Sequence, residues 1–108
     1  MINIDIIRRD SQIKQFELTG HADSGPYGFD LVCAGVSAVT FGSVNAVLEL
    51  SEADLEIEQG DEGGFLRVTV PDRLTDDTMK KVQVLFEGML VSLKTIEREY
   101  GDYITIRN

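Results

Sequence analysis

The chain has 108 residues, enough for one domain with a genuine core and too few for two. Apolar residues make up 43% and charged residues 27%, with two prolines and no low-complexity tract, which excludes a disordered chain. Nineteen acids against ten lysines and arginines give a net charge of −9; such a surface repels phosphate backbones, argues against direct nucleic-acid binding and favours a basic protein or peptide as partner.

Taken in order, Ile2, Ile4 and Ile6 alternate with Asn3 and Asp5 as a half-buried strand. Arg9–Ser11 reads as a turn, and Gln12–Gly20 as a returning strand with Phe16 and Leu18 inward. Gly20–Phe29, with three glycines and Pro26, reads as a mobile loop. Asp30 is placed to cap a helix running to about Leu50. On that helix Ala34, Ala38, Gly42 and Ala46 form a stripe of small residues suited to close approach, either to a second helix or to a symmetry mate. Ala53–Glu58 and Phe65–Val70, joined by Gly60–Gly64, form a hairpin. Thr75, followed by Asp76 and Asp77, starts a second helix whose apolar seam runs through Met79, Val82, Phe86, Met89, Leu93, Ile96 and Tyr100 until Gly101 stops it. Tyr103–Ile106 is a last strand. The order ββαββαβ predicts a single α+β domain over residues 1–108, a mostly antiparallel sheet packed with two helices.

Leu31–Leu48 carries no charged residue, and by length alone could span a bilayer. It contains Ser37, Thr40, Ser43 and Asn45 and is flanked by Asp30 and Glu49 rather than by lysine or arginine, so a buried helix of a soluble protein is expected, with no membrane partner. Asn45 is expected to be a buried structural contact. The single cysteine excludes an intrachain disulfide, and Met1–Arg8 has no signal-peptide pattern; both point to a reducing cytoplasm.

The residues that can carry chemistry fall between Gly20 and Asn45. With Asp30 as cap, Cys33 is the third residue of its helix, where backbone N–H groups lack intrahelical partners and the helix dipole favours a thiolate. A thiol of ordinary pKa about 8.5 needs a shift of about 1.5 units, roughly 2 kcal/mol, to be half ionised at neutral pH. A helix end supplies about 0.3–1 kcal/mol, so a cationic imidazole is the natural supplement. His21 is the only histidine, twelve residues before Cys33, and a strand ending beside the helix start would bring the two together as a Cys–His pair. Asp30 has two candidate roles, helix cap or orienter of His21. Ser37 lies one turn beyond Cys33 on the same face and either lines the site or bonds its own helix. Gly20, Gly25 and Gly28 read as hinges of a substrate lid, since neither a Walker lysine nor a GxGxxG pattern accompanies them. One cysteine and one histidine are too few for a metal centre, and no cofactor is expected.

The run GHA, then Gly25, Gly28, Asp30, Val32-Cys33-Ala34 and Val36-Ser37, with Asn45 beyond, resembles the ribosomal-processing cysteine protease Prp family. The motif covers about a quarter of the chain, and the element order and length agree with the remainder. The resemblance implies an α+β homodimer that removes a short amino-terminal extension from a precursor of a large-subunit ribosomal protein, after a hydrophobic and aromatic stretch and ahead of a small residue. It implies Cys33 as nucleophile and His21 as base, with Asp30 and Ser37 at motif positions of less defined role. Gly25, Tyr27, Gly28 and Phe29 are candidates for the substrate loop, Tyr27 and Phe29 as neighbours of the peptide's aromatic side chains. The competing reading from another class is a non-catalytic dimeric module that binds a ribosomal protein; a redox sensor would lack a resolving cysteine.

Overall fold

A computed structural model describes residues 1–20, 27–61 and 64–108, and for residues 27–30 the backbone alone. The expected element order holds: β1 (Ile2–Arg9), β2 (Gln12–Thr19), α1 (Tyr27–Ser51), β3 (Glu56–Gln59), β4 (Phe65–Thr69), α2 (Asp76–Tyr100) and β5 (Ile104–Arg107). The five strands form one sheet in the order β3-β4-β2-β1-β5, antiparallel throughout except where β5 runs parallel to β1.

The alternation read in β1 is what buries Ile2, Ile4 and Ile6. In β2 the inward residues are Phe16 and Ile13, which strict alternation would place on opposite faces. The register explains this: Ile7 pairs with Gln15 and Arg8 with Ile13, so Lys14 is an extra residue in a β-bulge. The bulge turns Ile13 back to the core and sends Lys14 outward, to Val70 O at 2.6 Å and to Asp72. The side-chain amide of Gln83 then satisfies the exposed backbone, accepting from Ile13 N at 2.7 Å and donating to Ile13 O at 2.9 Å. Asp10 and Ser11 make the β1–β2 turn, both with positive φ, the twist that suits a two-residue hairpin.

α2 begins as its sequence requires: Thr75 is the N-cap and its side chain accepts from Thr78 N at 3.2 Å, with Asp76 and Asp77 in the first turn. Val82, Phe86, Met89 and Leu93 of the expected seam are buried, joined by Leu90, whereas Tyr100 stays exposed. Gly101 ends the helix with a right-handed φ of −61°, so its left-handed freedom is not used; a Cβ there would press on Glu97 O at 3.1 Å. Phe86 meets Phe16 edge-on, ring centroids 5.2 Å apart, and ties α2 to the sheet centre. The helices and the sheet share one hydrophobic cluster, with Val32, Val36, Val44 and Val47 as the contribution of α1.

α1 departs from expectation in two ways. It begins at Tyr27, so residues 27–29 are helical rather than part of a loop, and Asp30 is the fourth helical residue rather than the cap. It is also buried along one side only. Leu31, Ala34, Ala38, Phe41, Gly42 and Leu48 are exposed, and so is Asn45, which is not a buried contact. Residues 31–51 remain long and apolar enough by length and composition to cross a membrane, but a single valine-lined side packs onto the sheet and α2.

Candidate active site

Cys33 is half-buried near the start of α1 and forms no disulfide. It lines a cavity of about 300 Å³ at one end of the sheet. One wall is α1 itself, where Cys33, Ser37 and Phe41 follow one another at four-residue spacing on a single helical face. The opposite wall comes from the sheet ends, Ile2, Leu18, Gly20 and Leu66. The β3–β4 hairpin closes the third side with Gln59, Gly60, Gly64 and Phe65. Among the described residues that line it, Cys33 is the one titratable side chain, in surroundings that are otherwise apolar or neutral.

Gly20 fixes where β2 ends. Its φ is +115°, and a Cβ there would collide with the carbonyl oxygen of Met1 and sit 3.1 Å from Ile2 Cα. Its N–H donates to Gly64 O at 2.9 Å. Gly20 is therefore a clamped close approach between three chain segments, not the hinge its sequence context suggested. Glycine is required by the packing.

The longer helix also changes the electrostatics at the sulfur. Cys33 is the seventh helical residue, and the helical pattern pairs its N–H with the carbonyl of residue 29. The expectation that it occupies the unpaired third position is corrected. Since the field of a helix end fades beyond the first turn, the dipole contributes less to a thiolate at Cys33 than a third-position cysteine would receive.

Of the other residues singled out from sequence, Ser37 is exposed and lines the same cavity as Cys33. Tyr27, Gly28, Phe29 and Asp30 form the first turn of α1, which removes Gly28 as a loop hinge. His21 and Gly25 lie outside the described residues. Among the described residues no three His, Cys, Asp or Glu side chains converge as a metal site. Sequence reasoning missed the second and third walls. Leu18 and Leu66 are paired across β2 and β4, so the alternation of those strands held the signal, but only the strand order places them opposite α1.

A free thiol on a helix face opens into a neutral cleft between helix and hairpin, an arrangement compatible with an enzyme of the thiol class. Comparison with known proteins gives the family. Residues 1–105 match the family described as cysteine protease Prp. The ribosomal processing cysteine protease Prp of Bacillus subtilis is 47% identical over 102 residues, covering 93% of this chain and 91% of that protein. The protein of the same name from Staphylococcus aureus is 41% identical, over 98% of this chain and 97% of that protein. A crystal structure of the essential S. aureus protease in complex with a substrate peptide superposes with a TM-score of 0.86 at 40% identity, covering 99% of this chain and 98% of that one. Another, with a covalently linked product peptide, gives 0.85 at 41% identity over the same shares. The chain belongs to the cysteine protease Prp family and is a cysteine protease.

Proposed function

We propose that this protease removes the amino-terminal extension of a large-subunit ribosomal protein, with Cys33 as nucleophile and His21 as its base. The observation that carries this is the placement of the only cysteine in the sequence in a cleft whose wall includes Gly20, the residue to which the only histidine is bonded. A thiol protease needs a thiol, and this chain has one. The relatives' names supply the ribosomal substrate, and the net charge of −9 suits a basic protein as the molecule cleaved.

In this reaction the imidazole takes the Cys33 proton, and the sulfur attacks the scissile carbonyl carbon as the carbonyl π electrons move to oxygen. Collapse of that adduct expels the amine, which leaves with the proton from the imidazolium. Water then adds to the thioester with the imidazole as base, releasing the new carboxylate and restoring the thiol. With the cap role gone, Asp30 stays as a candidate to orient His21, and Ser37 as a group lining the cleft. Gly25, Tyr27, Gly28 and Phe29 remain candidates for peptide contact. The enzyme works in the cytoplasm, where a lone thiol stays reduced. It works as a homodimer: Ala34, Ala38 and Gly42 are exposed and leave a small-residue helix face that a second copy would cover. Neither nucleic acid nor membrane is a partner in this reading.

Incubation with a full-length precursor ribosomal protein tests it. The wild-type chain is expected to release one short amino-terminal peptide, and Cys33→Ala to lower kcat/KM by at least about a thousandfold. His21→Ala is expected to act similarly and to abolish rapid alkylation by iodoacetamide below pH 8, which a paired thiolate shows and a structural thiol does not. Cleavage that survives Cys33→Ala would refute the mechanism. Binding without cleavage by the wild type would leave the non-catalytic module.

A further inference from the structure

The sheet has two edges, and the fold treats them differently. At the β5 edge the backbone N–H of Ile106 is taken up by the Glu97 carboxylate at 2.8 Å, so a side chain from α2 blocks strand addition there. At the β3 edge all four residues, Glu56–Gln59, are exposed. The register shows which groups face out. Gly60 N donates to Phe65 O at 3.1 Å, continuing the pairing of Gln59 with Leu66 and Ile57 with Val68. Antiparallel alternation then turns the N–H and C=O of Glu56 and Glu58 toward β4, and those of Ile57 and Gln59 away from the sheet. The opposite side of β4 agrees, since the Gly20–Gly64 bond sets Leu66 and Val68 facing β2. Among the described residues no group accepts from or donates to these four outward positions.

This open edge leads into the cleft. Gln59 and Gly60, at its downstream end, line the cavity that holds Cys33. Asp54, Glu56, Glu58 and Asp61 are exposed along it, and the nearby cation, Arg67, is already engaged by Glu17 and Glu58. We propose that β3 is a strand-addition site for the substrate: an extended, lysine- or arginine-bearing segment flanking the scissile bond pairs with Ile57 and Gln59 as a sixth strand and is thereby steered into the cleft. The occupant is substrate because the ladder ends at the catalytic cavity, and basic because the strand is lined with acids. Ile57, on the same face as buried Val68 but 39% exposed, offers the apolar footing for one side chain of the added strand. The proposal rests on the proteolytic reading above and extends it from the thiol to how the peptide is held.

Two measurements test it, each on the full chain. Ile57→Pro deletes one outward N–H without removing a bond to β4, a substitution that edge strands tolerate. The readout is the ratio of kcat/KM for a long basic-flanked peptide to that for a short peptide confined to the scissile bond. Losing the paired N–H and its neighbour's geometry is expected to lower this ratio about tenfold, chiefly through KM. Independently, wild-type enzyme is assayed with long peptides carrying one backbone N-methyl group at successive positions. Strand addition predicts that every second methylation in the flank weakens cleavage and the intervening ones do not. A ratio unchanged in Ile57→Pro together with no period of two overturns strand addition while leaving the protease intact; failure of the wild type to cleave either peptide would instead sink the functional reading. A change in oligomeric state on Ile57→Pro with the ratio unaltered would assign the edge to a second copy and likewise overturn the proposal.

Discussion

The two helices are each 25 residues long and lie side by side on the sheet, yet their surfaces obey different rules. α2 is amphipathic: its buried side is Val82, Phe86, Met89, Leu90 and Leu93, while lysines, Arg98 and Thr95 face water together with two exposed valines, Val84 and Val91. α1 carries no charge from Leu31 to Leu48, but only Val32, Val36, Val44, Val47 and Thr40 are fully buried there. The fold of one chain buries one side of each helix; α2 leaves Val84 and Val91 exposed among charged neighbours, whereas α1 leaves a face with no charge at all from Leu31 to Leu48. The outward half of α1 divides in two: on one side the cleft, through Cys33, Ser37 and Phe41, and on the other the exposed small residues Ala34, Ala38 and Gly42, the face that the proposed homodimer would cover.

If α2 is the structural helix, truncating its anchor must cost more than any change on the outer face of α1. Phe86 has no exposed surface and stacks edge-on against Phe16. Phe86→Ala is expected to destabilise the protein by about 3–5 kcal/mol, read as a fall in the denaturation midpoint with the slope unchanged. A cost below about 1 kcal/mol would mean that α2 is not what holds the sheet, and the contrast between the helices would lose its basis.

A smaller effect sharpens the same point through charge. Arg8 reaches from β1 to α2 and grips both oxygens of Glu87, at 2.8 and 2.9 Å. The guanidinium hydrogen bonds hold the Glu87 carboxyl below its usual value. Because the folded pKa is depressed, the stability this pair contributes is complete above the ordinary carboxylate pKa of about 4.3 and disappears as pH falls through the folded value. The pair is partly solvated, with 29% and 43% of the two side chains exposed, so its contribution at neutral pH is at most about 1 kcal/mol. Glu87→Gln should lower stability by that amount at pH 7, with the wild-type and variant curves converging in acid. Curves that stay parallel across the acid range would deny the pair any role in pinning α2.

Much of this was legible without coordinates. The α2 seam, the Thr75 cap and the alternation of β1 are local patterns, and each element formed where its pattern stood. The motif around Cys33 was equally visible, because residue types at fixed spacing survive any tertiary arrangement. Three things were not. The start of α1 is hidden because glycine and proline before Tyr27 signal a loop, while Asp30 mimics a cap; propensity does not show that the helix extends through Gly28 to Tyr27. The bulge at Lys14 depends on pairing with β1, which no local signal encodes. The clamped Gly20 owes its conformation to Met1 and Gly64, residues far from it in sequence.

The smallest expected effect on the monomer is the most informative about α1. Ala38 sits in the middle of the small-residue stripe, exposed, between Ala34 and Gly42, and lines no part of the cleft. Arginine has nearly the helix propensity of alanine, so Ala38→Arg should change monomer stability by no more than about 0.5 kcal/mol. A second copy approaching through that stripe, however, would meet a long cation where only a methyl group fits. Sedimentation velocity of the wild type should then show a dimer and that of Ala38→Arg a monomer, with denaturation curves coinciding at concentrations where both chains are dissociated. If the variant dimerises as the wild type does, close helix packing does not explain the uncharged face of α1, and its exposed alanines and leucines need another cause. If instead the monomer itself is destabilised by several kcal/mol, Ala38 is packed against its own chain and the division of labour between the helices is drawn in the wrong place.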